Sequence, residues 1–366
     1  MKRPAGILAL GLAVICAPAC GRKGPLQRPV SPRPQAVEKL VAHQRGGSVV
    51  LEWTNPARAI DGRPLRALRA AEVWVLDLGP AGARGPLKPR DFETRARLGR
   101  RIPARELRPV SRRASGSAAD AIVVYPVSGD GFHPGTQAFS VRVLDDKGRP
   151  SEFSAPVPVD LKACPRAPEI QGAEVFADRI EVRWSPPEAN IDGSAPAGVA
   201  GYAVFRSVDG GAPERLTPSP VAGPVFADRQ FAFGASYAYT VRAEAAGGDS
   251  GLESDDSAAV RVAPRDTFPP APPSGIVVLA GPDVTSLSWA PGREDDLAGY
   301  RVWRREAGGP GFLLLTPGPL LPGNAFTDTT AEKGKTYVYA VSASDRTGNE
   351  SSRTESAPVA LKGKDG

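Results

Sequence analysis

Enzyme chemistry requires nucleophiles, bases or metal ligands at workable spacing, and this 366-residue chain holds few of them. It has two histidines, His43 and His133, and three cysteines, Cys16, Cys20 and Cys164. A Cys/His zinc cluster therefore lacks its ligands. His133, in "DGFHPGT", is the histidine that a turn could present as a general base, and no G-x-S-x-G element accompanies it. The acidic runs Asp255-Asp256 and Glu294-Asp295-Asp296 lack the alternating oxygen ligands and the glycine of a calcium loop, so they read as solvated charge. We expect no catalytic residue, no metal and no cofactor.

What the chain does hold is arginine. Residues 79–118 carry 11 basic and 3 acidic side chains, a surplus that dominates the basic stretch 21–161, whereas residues 162–366 are net acidic. Arg97, Arg100, Arg101, Arg112 and Arg113 are the candidate anion-binding residues, because a guanidinium presents a planar fork to phosphate or carboxylate. The competing reading is a solvated, arginine-rich hairpin extension. Clusters without interleaved aromatics are a poor surface for stacking bases, and we expect no nucleic-acid partner.

These residues need a compartment and a scaffold. The chain opens with Lys2 and Arg3, an apolar run from Ile7 to Ile15 and small residues at Ala17, Pro18 and Ala19, the layout of a secretory signal. The run is well short of the roughly 20 residues of a spanning helix. Ala17-Pro18-Ala19-Cys20 resembles the bacterial lipobox, which implies cleavage before Cys20 and acylation of that residue; the other reading is an ordinary signal cleaved nearby. The resemblance implies a lipid-anchored protein of the bacterial envelope, tethered to the membrane through Cys20. Gly21 after the cysteine leans, by similarity to enterobacterial lipoproteins, towards the outer membrane. "CGRKGPL" also resembles the start of a short family of lipoproteins associated with lipopolysaccharide transport.

The rest of the chain repeats itself. "WSPPEANIDGSAPAGVAGYAVFRS" from Trp184 matches "WAPGREDDLAGYRVWRRE" from Trp289, and "FADRQFAFGASYAYTVRA" from Phe226 matches "FTDTTAEKGKTYVYAVSA" from Phe326. Alternating apolar residues at Ile180, Val182 and Trp184, and at Tyr237, Tyr239 and Val241, predict half-buried antiparallel strands. Such strands bury their apolar faces by packing sheet on sheet, which predicts all-β sandwiches. A divergent copy comes first: "SVVLEWTNP" matches the Trp strand, Val73 and Val75 of "EVWVLDL" match the Tyr-x-Val strand, and "AFSVRVLDDKGRPS" matches "VYAVSASDRTGNES".

These motifs resemble the fibronectin type III family in a bacterial form, and the resemblance implies three tandem immunoglobulin-like sandwiches. Tyr237 and Tyr337 would then be tyrosine-corner residues, with Gln137 in that place in the first copy. The expected organisation is a signal over 1–19, a lipidated Cys20 and Pro-rich tether over 20–36, and sandwiches over 37–162, 166–263 and 271–362. Pro-rich segments between them act as semi-rigid spacers.

Phe205 and Trp303 fall one residue beyond the inward Val204 and Val302, so alternation turns them outward as candidate surface aromatics. They could form a strip for a sugar or a protein, or cover neighbouring side chains. The expected function is non-enzymatic: presentation of these domains at the cell envelope for protein or glycan binding. The alternatives are an envelope-assembly accessory contacting lipopolysaccharide or its transport machinery through the basic first domain, and an accessory of carbohydrate-active enzymes.

Overall fold

The computed structural model describes residues 32–79, 87, 89–107, 121–127, 132–246 and 251–361. The signal segment, Cys20, Arg112 and Arg113 lie outside the described residues. The chain divides into two compact units, the first holding one sandwich and the second holding two.

The first sandwich runs β1 (Glu38–Arg45), β2 (Ser48–Thr54), β3 (Leu68–Gly79), helix α1 (Pro89–Arg95), β4 (Arg97–Pro103), β5 (Ala121–Pro126), β6 (Gly135–Asp145) and β7 (Val157–Leu161). One sheet has the order β1-β2-β5 and the other β4-β3-β6-β7. Val49, Leu51, Trp53, Val73, Phe139, Val141 and Val143 are buried between them. The second runs β8 (Glu169–Val175), β9 (Ile180–Ser185), β10 (Val199–Val208), β11 (Glu214–Arg215), β12 (Val225–Asp228), β13 (Tyr237–Ala245) and β14 (Val260–Val262). Its sheets are β12-β9-β8 and β11-β10-β13-β14. The third runs β15 (Val277–Ala280), β16 (Thr285–Ser288), β17 (Leu297–Glu306), β18 (Leu313–Leu314), β19 (Ala325–Asp328), β20 (Thr336–Asp345), β21 (Thr354–Glu355) and β22 (Val359–Ala360). Here β15-β16-β19 faces β18-β17-β20-β21, with β22 also paired to β20.

The alternation predicted for these strands is the alternation observed. Ile180, Val182 and Trp184 are buried while the residues between them are not, and Tyr237, Tyr239, Val241 and Ala243 repeat the pattern. The glycine of each Gly-Tyr motif has a steric reason. Both β10 and β17 bulge just before it, and a Cβ on Gly299 would stand 2.5 Å from the Leu321 carbonyl oxygen; on Gly201 it would meet Pro220 at 2.7 Å.

The tyrosine corners form as the resemblance implied. The Tyr237 hydroxyl accepts the Ala232 N–H at 2.8 Å and the Tyr337 hydroxyl accepts the Glu332 N–H at 3.3 Å. In the first sandwich the Gln137 side-chain oxygen is buried and finds no hydrogen-bond partner among the described residues.

Strand register corrects one assignment. Val73 lies opposite Val141 just as Val204 lies opposite Val241 and Val302 opposite Val341. Val73 is therefore the counterpart of Val204, and Ala71, two residues earlier, stands where the later copies have tyrosine. Sequence spacing missed this because β3 is apolar on both faces: Val73 and Val75 point into the sandwich, while Trp74 and Leu76 lie on the outer side. The insertion explains the pattern. Phe92 of α1 is fully buried against Leu76 and Ala138, with Trp74, Leu78 and Phe153 packed around them, so the described part of the insertion covers the outer face of its own sheet.

Candidate functional site

The corrected register places an aromatic ring at one equivalent outward position in every described copy: Trp74 opposite Ser140, Phe205 opposite Thr240 and Trp303 opposite Ala340. Each ring carries a guanidinium. Arg142 lies 4.7 Å from the Trp74 centroid, Arg242 lies 4.1 Å from Phe205 and Arg353 lies 3.6 Å from Trp303. The ring quadrupole attracts the cation, by about 0.5–1 kcal/mol at an exposed site and more where water is excluded. Stacking holds the guanidinium plane against the ring while its N–H edge stays free to bond.

What meets that edge differs from copy to copy. In the first, Arg142 donates to Glu72 at 2.6 Å and its other ring contact is Phe153 at 5.1 Å. Glu72 is fully buried and also accepts from Arg101 at 2.5 and 2.8 Å and from the Trp74 indole at 3.1 Å. Burial pushes its carboxyl up, but the bonds from Arg142, Arg101 and Trp74 outweigh burial and hold it below the usual carboxylate range. In the second copy Arg242 donates to Asp256 at 2.6 Å and to Glu253 at 2.8 Å. Burial disfavours this charge, and the two carboxylates more than restore it. Both guanidiniums are bonded to carboxylates from within the fold.

The third copy is arranged otherwise. Ser342 stands where the second copy has Arg242, and its hydroxyl bonds Glu350 at 2.5 Å and receives the Trp303 indole N–H at 3.3 Å. The cation over the ring comes instead from Arg353, an exposed residue following β20, which also lies 5.8 Å from Phe312. Phe312 in turn lies 5.0 Å from Arg305, which is bonded to Glu355 at 2.9 Å. Arg353 has no carboxylate partner among the described residues.

The basic strand is less open than composition suggested. Arg101 is occupied by Glu72, and Arg100 reaches the Val124 carbonyl at 3.4 Å and Glu106 at 3.6 Å. Arg97 is exposed on the same edge strand. His133 is exposed ahead of β6. Asp296 of the acidic run meets Asp266 and Asp345, with one oxygen of each within 4.8 Å of the others. Asp345 is already engaged there: it accepts from the Thr347 and Asn349 backbone at 2.9 Å each and from the Asn349 amide at 2.8 Å. A cleft of 460 Å³ lies between Pro272, Pro291, Gly292 and Tyr300, and its carboxylate, Glu294, is bonded to the Ala271 N–H at 3.0 Å.

Sequence reasoning found Phe205 and Trp303 but missed Trp74 and every arginine above these rings. A signal existed for Trp74, because aligning Val141 with Val341 at offset 200 sets the strand pairing. None existed for Arg353, which reaches Trp303 across 50 residues of chain.

Paired antiparallel sheets, the Trp strand and the tyrosine corners of the second and third copies define the fold: tandem fibronectin type III-like sandwiches. No family model matches the chain. It is 28% identical over 240 residues to "Exoglucanase B" of Cellulomonas fimi, a match covering 62% of this chain and 20% of that protein. It is 34% identical over 87 residues to "Amylopullulanase" of Thermoanaerobacterium saccharolyticum, covering 24% of this chain and 6% of the other. The chain thus spans a fifth or less of these relatives' length. Among solved structures, a two-domain fibronectin type III segment of chicken tenascin aligns over 55% of this chain and all of that one, at 16% identity and TM-score 0.34. The FN1–FN3 domains of chicken CNTN1 align over 90% of this chain and all of that one, at 15% identity and TM-score 0.25.

Proposed function

We propose that the protein is a non-enzymatic lipoprotein of the bacterial outer membrane, anchored through acylated Cys20, that presents its sandwiches to a glycan or protein partner. The observation that carries the binding role is an outward aromatic ring with a guanidinium over it at equivalent places in the copies, closed by internal carboxylates in the first two and, in the first, also by the insertion, but exposed at Arg353 in the third. The relatives support the glycan side, since exoglucanase and amylopullulanase are names of polysaccharide-degrading enzymes. Among the described residues no helix is long and apolar enough to cross a membrane, so in this reading the anchor is the acyl group.

The test is crosslinked affinity capture from intact envelopes with the full chain, with a chain lacking 271–362 and with Cys20→Ala. Removing the last sandwich should abolish partner capture and leave the protein in the membrane fraction, while Cys20→Ala should release it. Release of the 271–362 deletion, or an unchanged set of partners, would reject the proposal. A second reading, contact of the first sandwich with lipopolysaccharide, draws on the exposed Arg97. Charge reversal at Arg97, Arg100 and Arg112 should then weaken binding in a salt-dependent way. Arg101 must be left intact in that experiment because reversing it would break its bond to Glu72.

A further inference from the structure

We infer that the outer sheet face of the third sandwich binds a carboxylate-bearing glycan through Arg353. The inference rests on the binding role proposed above and narrows it to one copy and one ligand class.

The chain contains its own template for this site. In the first and second copies the guanidinium over the equivalent ring bonds internal carboxylates, Glu72 in one and Glu253 with Asp256 in the other. The third copy keeps the ring and the cation over it, replaces one of the second copy's two carboxylates and turns the other away. Counting from the serines that cap the facing strand, Ser254 on Ala243 and Ser351 on Ala343, Arg353 occupies the place of Asp256. Glu350, the counterpart of Glu253, is turned to Ser342 and stands 4.0 Å from Arg301. An exposed guanidinium held over a ring is left without an internal carboxylate partner among the described residues, and an external carboxylate can supply the bonds that internal ones supply in the other copies.

The surroundings select the rest of the ligand. Trp303, Phe312 and Leu314 are half-buried, so they offer shallow apolar surface beside the cation and not a deep hydrophobic pocket of the sort that anchors a peptide side chain. Arg305 and Glu355, bonded to each other within reach of Phe312, can donate to and accept from hydroxyls. A uronic acid brings a carboxylate, a C–H ring face and hydroxyls in one unit, and a linear uronate chain lies flat on such a face.

The test is calorimetric titration of the full chain, made soluble by Cys20→Ala, with hexagalacturonate, maltohexaose, cellohexaose and hexaglutamate. Hexagalacturonate should bind at least about tenfold more tightly than the others, and Arg353→Gln should lose at least about tenfold, the scale of a charge-assisted hydrogen-bonded pair. Arg353→Lys, which keeps the charge without the fork, should fall between. Thermal melting checks that the variants are folded, as an exposed position allows. Equal binding of hexaglutamate would replace the glycan with an acidic peptide and overturn the ligand class. No binding of hexagalacturonate, or binding indifferent to both Arg353 variants, would overturn the site. Envelope capture that is lost on deleting 271–362 but survives Arg353→Gln would reject this inference alone and leave the binding role standing.

Discussion

Replacing Asp328 with alanine strikes a buried cluster found in the second and third sandwiches and, among the described residues, not in the first. Asp328, 2% exposed, receives Arg304 at 2.7 Å, the Tyr339 hydroxyl at 2.8 Å, and the backbone and hydroxyl of Thr330, both at 2.8 Å. Asp228 holds Arg206 and Tyr239 in the same way, both at 2.8 Å. The Tyr339 phenol is pushed up to about 12, first by burial and then by Asp328, so it stays a donor. The alanine variant leaves the Arg304 guanidinium, 11% exposed, without its counter-charge, and breaking such a pair costs about 3–5 kcal/mol. The first sandwich shows the apolar alternative. By register Val75 takes the place of Arg304, Tyr125 that of Asp328 and Phe139 that of Tyr339, and Tyr125 packs edge-on against Phe139 at 5.7 Å. Arg304→Val, Asp328→Tyr and Tyr339→Phe together should therefore return to within about 1–2 kcal/mol of the parent, because removing all partners strands no charge. Urea denaturation read by hydrogen exchange in residues 285–345 isolates the third sandwich. A single-variant loss under about 1 kcal/mol, or a triple variant no more stable than the single, would refute the reasoning. The pH dependence has a definite sign. Burial raises the Asp328 carboxyl, but the Thr330, Tyr339 and Arg304 bonds outweigh it and depress the folded-state value. Its contribution is present above the unfolded value near 4 and disappears as pH falls through the folded one.

Glu72→Gln should cost about 1–3 kcal/mol in urea denaturation at pH 7 by weakening the bonds to Arg101 and Arg142. Since Glu72 is depressed when folded, the gap from the parent should close as pH falls below about 4. Gly299→Ala should destabilise the third sandwich by about 2 kcal/mol or more, because its φ is +152° and the new Cβ meets Leu321 and Leu320 within 3 Å. Gly308→Ala, at φ +81° with open space around it, should cost about 1 kcal/mol in the same assay. The Cys164 thiol is pushed up to about 12, by burial first and then by the Asp255 and Asp192 carboxylates, so iodoacetamide at pH 8 should label it only after denaturant is added.

Strand identity, sandwich class and repetition could be read from the chain because they depend on local alternation and on self-similarity at a fixed offset. Ile180-Val182-Trp184 and Tyr237-Tyr239-Val241 carry their burial in the order of the letters. The outward positions of Phe205 and Trp303 follow from the same period of two. Tertiary structure decided which cation meets which ring and which carboxylate neutralises it. Glu72 meets Arg101 across 29 residues and Arg142 across 70, and Arg353 meets Trp303 across 50. Those pairings follow from strand order and register, in which a shift of one residue would turn every side chain to the other face. Composition could therefore count the arginines, but only the folded sheets show that Arg101, Arg142 and Arg242 are bound to carboxylates while Arg353 faces solvent over its tryptophan.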